Sequence, residues 1–154
     1  NADVLRLSKD VTDYVFQVLK NHYGTGENRS GEKAYWATGI ESAKIKQDAY
    51  AKMVEDGSKN PKEAYVDLIS MKTIVQQKNN WDLFQPVFNI QMPDEKKGKT
   101  YYLSWLDRLN EVRRIPAHQS SVRSYEEADY EFIRFIKHQF YSKLESASKE
   151  PEMT

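Results

Sequence analysis

The sequence predicts an all-α protein, a bundle of about five to six helices, on three observations. First, apolar residues recur at helical spacing in several stretches. Second, helix start and stop signals separate these stretches. Third, no stretch alternates as a half-buried strand does, and no repeat or low-complexity segment interrupts the pattern.

Composition narrows the class of protein. At 154 residues we expect one domain, spanning 1–145, followed by a disordered tail over 146–154. Lys+Arg and Asp+Glu both number 23, so the net charge is zero and a non-specific binder of nucleic acid is disfavoured, although a local basic cleft is not. The chain has no cysteine, which excludes disulfides and thiolate sites.

The hydropathy pattern bears on location. No apolar run approaches the ~20 residues of a membrane-spanning helix, and no signal-peptide pattern is present. We therefore expect a cytoplasmic protein with no membrane partner. Because the chain opens on Asn1 in the middle of a pattern, we also expect a domain excised from a longer protein.

The first predicted helix has an apolar stripe from Val11 to Leu19 and ends at Gly24, a residue suited to a C-terminal cap. Residues 24–37 then predict a long connection that begins with turn chemistry. Connections of this length are uncommon without a purpose, so we expect a flap or a packed cover. Trp36, in this connection, is a candidate for core packing or for a contact at the rim of a site.

Two further helices follow. Thr38 and Glu41 fit a capping box for the second. Its predicted packed face comprises Ile40, Ala43, Gln47, Tyr50 and Val54. Asn60–Glu63 places Asn at the N-cap, Pro at the first helical position and Glu at the third, which predicts a third helix running to about Gln77.

An aromatic segment comes next. Trp81, Phe84 and Phe88 are most simply interpreted as core residues. Pro86 should kink or end any helix at this point. A polar turn over 92–99 leads into the following helix.

Residues 103–118 predict an amphipathic helix that brings an arginine near a histidine. Its stripe comprises Tyr102, Trp105, Leu106, Leu109 and Val112. Arg113 falls on or beside this stripe, and Arg114 falls on the opposite side. In an unbroken helix Arg113 and His118 would point about 140° apart. Pro116 cannot donate a backbone N–H, so the helix should stop near Arg114 or Ile115, which leaves His118 free to return toward Arg113.

The last helix is predicted to begin with a capping box formed by Ser124 and Glu127. Its apolar residues are Ala128, Phe132, Ile133, Phe135, Ile136, Phe140 and Leu144. This arc is wider than one neighbouring helix usually requires. We expect part of it to meet a second subunit.

An arginine beside a histidine suits phosphate chemistry, because guanidinium binds phosphate oxygens and imidazole exchanges a proton near neutral pH. Such a pair could cleave RNA without a metal. The spacing alone leaves a simpler interpretation open, in which Arg113 caps helix carbonyls and His118 is an ordinary turn residue. The other histidines, His22 and His138, are interpreted as surface or cap residues. Three histidines without ligand spacing do not predict a metal site, and we expect no cofactor.

The end of the arginine helix resembles the R-x4-6-H signature of the HEPN superfamily, commonly R-N-x-x-A-H; here it reads Arg113-Arg-Ile-Pro-Ala-His118. The segments 103–118 and 124–140 resemble the two C-terminal helices of HEPN domains. Upstream, AYVDLIS, NWDLF and PVF resemble a HEPN branch often attached to large ATPases and to restriction or phage-defence proteins. The resemblance covers residues 60–145 well and the first 60 weakly.

The resemblance implies an all-α bundle, usually a homodimer with both motifs at one cleft, and metal-independent endoribonuclease activity in a defence or toxin-type system. Arg113 would bind the phosphate and His118 would be catalytic. Arg114, Glu111 and Arg123 are further candidates for contacts to RNA.

Arg114 departs from the family pattern, since it stands where asparagine is usual. It could pair with Glu111 or add a second cation for RNA. The alternative implied by the family is a non-catalytic module for dimerisation and for binding a nucleic acid or nucleotide. The parent protein would then carry an ATPase or nuclease domain.

Overall fold

The computed structural model describes residues 2–115 and 125–149. These residues form seven α-helices and one 3₁₀ helix, with no strand among them. The helices are α1 (Ala2–Tyr23), α2 (Ala34–Ala37), α3 (Ala43–Glu55), the 3₁₀ helix (Lys62–Tyr65), α4 (Leu68–Gln76), α5 (Trp81–Phe88), α6 (Ser104–Arg114) and α7 (Glu127–Lys149). Because α2 is a single turn of four residues, six longer helices remain. The prediction of an all-α bundle is confirmed.

The chain divides into two compact units. The inner unit is Val11–Leu83, and the terminal unit contains the described residues of Asn1–Asp10 and Phe84–Thr154. The divisions fall within α1 and within α5. The single domain expected over residues 1–145 stays a prediction. No helix in the part of the chain that the structure describes is long and apolar enough to cross a membrane.

In the inner unit, the connection after α1 contains an exposed turn and the single-turn α2, and its role as a flap or a packed cover stays a prediction. Glu27 and Lys33 form an antiparallel bridge, and the Asn28 side chain accepts two backbone N–H groups of the turn between them at 3.0 Å each. Trp36 is 3% exposed and stacks on Phe16 with ring centroids 6.5 Å apart. Trp36 is therefore a core residue, and the alternative of a rim contact is wrong.

A buried polar network closes the inner unit around Asn80, whose side chain is fully buried. Its amide donates to the backbone carbonyls of Gly39 and Ile74, at 2.9 Å each. Its oxygen accepts from the Tyr23 hydroxyl at 2.6 Å, and Gln77 adds a second donor to the Gly39 carbonyl at 3.0 Å. Every group in this network has a partner, which is the condition under which buried polar groups stabilise a fold.

α3 differs from its predicted start and face. Ser42, not Thr38, is the N-cap, and its hydroxyl accepts a first-turn N–H at 3.2 Å. Thr38 instead ends α2. Ala49 is buried, whereas Tyr50 and Val54 of the predicted face are exposed. Ala49 is the buried residue of α3, and α3 contacts the 3₁₀ helix.

The single third helix expected from Asn60 to about Gln77 is wrong. The structure has the 3₁₀ helix and then α4, separated by extended backbone at Val66 and Asp67. Glu63 does not act as a capping residue, because its carboxylate is bound elsewhere. Lys20 contacts one carboxylate oxygen at 2.6 Å, and the Tyr35 hydroxyl donates to the other.

In the terminal unit, α5 runs through Pro86 and ends at Phe88. Because Pro86 has no backbone N–H, the carbonyl of Asp82, four residues earlier, loses its helical hydrogen-bond donor. Asp82 is exposed, so the helix tolerates this loss. Phe84 and Phe88 are fully buried, as predicted for core residues, while Trp81 is half-buried.

Aromatic packing joins the helices of the terminal unit. Trp105 of α6 and Phe140 of α7 lie 5.5 and 6.0 Å from Phe88 by ring centroids, and 6.1 Å from each other. The Trp105 indole N–H donates to the Phe88 carbonyl at 3.0 Å. The Tyr141 hydroxyl donates to the Asp10 carboxylate at 2.5 Å, which ties the start of α1 to α7.

α7 begins with a different cap from the one predicted. Ser124 lies outside the described residues. The Asp129 carboxylate, three positions into the turn, accepts the backbone N–H of Glu126 at 3.0 Å. Asp129 is 1% exposed, so the acceptor of this cap is a buried carboxylate.

α7 also ends later than expected. It continues to Lys149, so 146–149 are helical where the sequence predicts a disordered tail. The helix contains no glycine or proline, and Ser148 donates to the Glu145 carbonyl at 2.9 Å near its end. Residues 150–154 of the predicted tail lie outside the described range. On the broad apolar arc, Ile136 and Phe140 are fully buried, and a second subunit on the rest stays a prediction.

Candidate nucleic-acid site at the end of α6

α6 follows its sequence pattern except at Tyr102, which belongs to the predicted stripe but lies in the turn before the helix and is half-buried. It begins at Ser104 and ends at Arg114, the predicted stopping point. The buried residues on its inner face are Trp105, Leu106, Leu109 and Val112. This face anchors the helix in the terminal unit and fixes the position of the last turn.

The backbone carbonyl of Val112 marks the end of the helix. In a continuous helix it would accept the N–H of residue 116, but that residue is proline and has none. It instead accepts the Ile115 N–H at 3.2 Å and the Tyr125 hydroxyl at 3.4 Å. The helix therefore stops without leaving this nearly buried group unpaired. Pro116 itself lies outside the described residues.

Tyr125 joins the start of α7 to this helix end. Burial raises the pKa of its phenol, and the neighbouring Tyr130 and Asp129 raise it further. The phenol therefore remains a protonated donor at neutral pH. The Tyr125 ring lies 5.7 Å from the ring of Tyr130, which helps to orient it.

Two arginines occupy the last turn of α6. Arg113 and Arg114 are both exposed, and cations at a helix C-terminus are favoured by the helix dipole. The buried stripe ends at Val112, and Arg113, expected on or beside it, is exposed. An exposed guanidinium can bind an anion from solution.

The sequence-predicted site residues are only partly within the described structure. Glu111, Arg113 and Arg114 lie together on the last two turns of α6, and all three are exposed. His118 and Arg123 lie outside the described residues. The approach of His118 to Arg113 therefore stays a prediction, as does pairing of Glu111 with Arg114.

Sequence reasoning missed Tyr125 and Asp129. Tyr125 binds a backbone carbonyl and Asp129 caps α7. Neither role produces a periodic pattern in the sequence. The available signal was the proline at position 116, which implies that some donor must satisfy the Val112 carbonyl. Nothing in the sequence pointed to Tyr125 as that donor.

Other histidines do not extend the site. His22 is exposed at the end of α1, with its ring edge-on to Tyr23 at 4.7 Å, and His138 is exposed on α7. Among residues 2–115 and 125–149, no group of three or more histidine, cysteine or acidic side chains is placed to hold a metal ion.

Comparison of the chain with protein-family models, with curated proteins and with solved structures finds no match. The resemblance to HEPN domains therefore depends on the residues of the sequence, above all Arg113 and His118. Function has to be inferred from the chemistry of those residues and from the placement of α6.

Proposed function

We propose that this chain is a HEPN-like domain that cleaves RNA without a metal ion, using Arg113 and His118 at a cleft between two copies. The observation that carries the proposal is the exposed Arg113 on the last turn of a buried, well-anchored helix. In sequence, Pro116 and His118 follow at once. A phosphate-binding cation and a proton-transfer group thus occur within one short segment.

The chemistry needs only these two groups and the RNA. Arg113 would bind the scissile phosphate through its N–H donors and stabilise charge as phosphorus becomes five-coordinate. The ribose 2′-oxygen forms a bond to phosphorus, and the bond from phosphorus to the 5′-oxygen breaks. His118 would take the 2′-hydroxyl proton or give a proton to the departing 5′-oxygen. A second copy across the cleft would supply the other proton transfer.

Arg114 supports RNA binding whether or not the site cleaves. Its exposed, permanently charged side chain stands next to Arg113, so two cations face solvent at one helix end. Glu111 on the same turns limits the positive charge, and we propose that it orients Arg114. Arg123 is a further candidate for a phosphate contact, from sequence alone. A defence or toxin-type role in the cytoplasm is part of the proposal.

Cleavage of a mixed RNA substrate in EDTA tests the proposal. We expect the wild type to cut, and Arg113→Ala and His118→Ala to lose about a hundredfold or more of the rate. Arg134→Ala and His138→Ala, exposed positions on α7, are matched controls and should cut as the wild type does. If wild type and His118→Ala are equally active, or if activity requires a divalent ion, the proposal is wrong.

A second candidate function is favoured by one observation, the presence of Arg114 beside Arg113. Two exposed cations without the usual asparagine suit a non-catalytic module that dimerises and binds nucleic acid or nucleotide. This candidate predicts a dimer in solution that binds RNA and leaves it intact. Arg113→Ala should fold normally and bind RNA about tenfold more weakly. A monomer with no affinity for RNA or nucleotides would contradict it.

A further inference from the structure

The terminal unit contains a cavity of about 300 Å³ beside α6 and the first turns of α7. It is lined by Met92, Pro93, Asp94, Arg108, Ala128, Glu131, Phe132 and Phe135. Its walls are mostly apolar, with a few charged groups. This is the composition of a small-molecule site, and the volume is at the small end of the range for such sites.

Arg108 is the best-positioned polar group in the cavity. Its guanidinium lies over the Phe132 ring, 4.6 Å from the centroid, and the side chain is 28% exposed. It donates to the Ala128 carbonyl at 3.4 Å and contacts the Asp94 carboxylate at 3.5 Å. These two contacts and the Phe132 ring hold the Arg108 side chain in place. A guanidinium has five N–H donors and both contacts are long, so donors are left for a ligand.

The charges of the cavity decide which ligand it suits. Arg108 contributes one positive charge, and Asp94 and Glu131 contribute two negative charges. The excess of carboxylate disfavours a phosphate. The cavity instead suits a neutral ligand that has hydrogen-bond acceptors on one side, for Arg108, and hydrogen-bond donors on the other side, for a carboxylate. The half-buried Phe135 ring offers an apolar wall to a flat ligand.

We propose that this cavity binds a guanine base of single-stranded RNA, an inference that rests on the proposed RNA-directed function. Guanine presents its O6 and N7 acceptors to an arginine and has N1–H and N2–H₂ donors for a carboxylate. Adenine places an acceptor, N1, where guanine has a donor, so it would face Asp94 or Glu131 unfavourably. Arg108 lies five residues before Arg113 on α6, so the two side chains leave the helix about 140° apart. An RNA strand that crosses this helix to contact both would give the cleavage a guanine preference.

Nucleoside binding to the full chain tests this inference separately from catalysis. Guanosine, adenosine, cytidine and uridine would each be titrated and followed by NMR chemical shifts. We expect guanosine to bind about tenfold or more tightly than the other three. Arg108→Met keeps an apolar stem over Phe132 but removes the donors, and should weaken guanosine binding about tenfold. Asp94→Asn and Glu131→Gln identify the partner carboxylate, because one of them should reduce the preference for guanosine over adenosine.

Arg134→Met is the matched control, since it removes one exposed cation from α7 and should leave guanosine binding unchanged. Retained melting temperatures would show that the variants fold. Guanosine bound no better than adenosine, or bound equally by Arg108→Met, would overturn the inference, and so would an absence of nucleoside binding. RNA cleavage with no base preference would overturn it and leave the nuclease proposal standing. Guanosine binding at Arg108 without RNA cleavage would support the base site and contradict the nuclease.

Discussion

The hydroxyl of Tyr125 donates to the backbone carbonyl of Val112 at 3.4 Å, and so joins the segment before α7 to the last turn of α6. The same carbonyl accepts the N–H of Ile115 at 3.2 Å. Together these donors replace the one that Pro116 lacks. Because Arg113 directly follows Val112, this contact helps to fix the turn that carries the proposed phosphate-binding side chain.

Tyr125→Phe tests whether this contact positions the site. The Ile115 N–H remains in place, so the free energy of unfolding should fall by less than about 1 kcal/mol. The rate of RNA cleavage should fall about tenfold, because a small displacement of the Arg113 guanidinium weakens its contact with the scissile phosphate. Tyr130→Phe is the control, since its ring adjoins Tyr125. Cleavage by Tyr125→Phe at the wild-type rate would contradict the positioning role.

Gly39 is a position at which a single methyl group should be destabilising. A Cβ there would lie 2.2 Å from the Tyr35 carbonyl oxygen and 3.1 Å from Leu19 Cδ2. We expect Gly39→Ala to lower the free energy of unfolding by about 3 kcal/mol, measured by urea denaturation. Gly26→Ala, with nothing within 4 Å of its Cβ, should change it by less than about 0.5 kcal/mol. Equal stability of the two variants would show that the packing around Gly39 is misassigned.

Asn80 tests the buried polar network of the inner unit. Asn80→Ala removes three hydrogen bonds, to Gly39, Ile74 and Tyr23, all from a fully buried side chain. Since the Gly39 carbonyl keeps its bond from Gln77, we expect a loss of about 2–3 kcal/mol in unfolding free energy. The nearby exposed Lys78→Ala should lose less than about 0.5 kcal/mol. A similar loss from both variants would count against the network.

Tyr141 predicts a dependence of stability on alkaline pH. Burial raises the pKa of its phenol from 10.0 to about 12, and the hydrogen bond to the Asp10 carboxylate adds to the effect. Below pH 10 the phenol is protonated in the folded and unfolded chains, so its stabilising contribution is complete. Between pH 10 and 12 the unfolded chain releases the proton more readily, so stability falls as pH rises. Tyr141→Phe should make this decline shallower in urea denaturation across that range. An unchanged decline would contradict the assignment.

The sequence predicts well those features that depend on residues close together in the chain. Leu106, Leu109 and Val112 repeat at helical spacing, and Pro116 supplies a local stop, so the inner face and the end of α6 follow directly. Gly24, with a φ of 94°, likewise ends α1 as predicted.

Features that depend on distant partners were not predictable in the same way. Glu63 looks like a helix-capping residue until Lys20 and Tyr35, far away in sequence, bind its carboxylate. The packed face of α3 is defined by the small Ala49, which carries little hydrophobic signal beside Tyr50. Tyr125 and Arg108 have roles set by a carbonyl and a ring contributed by other segments.

The chemical nature of the cleaved RNA ends tests the central claim most directly. RNA would be incubated with wild type and with His118→Ala in EDTA, and the 3′ ends of the products identified by mass spectrometry. Attack by the 2′-oxygen predicts a 2′,3′-cyclic phosphate from the wild type and almost no product from the variant. Products ending in a 3′-hydroxyl, or the same cyclic phosphate yield from His118→Ala, would contradict cleavage by Arg113 and His118.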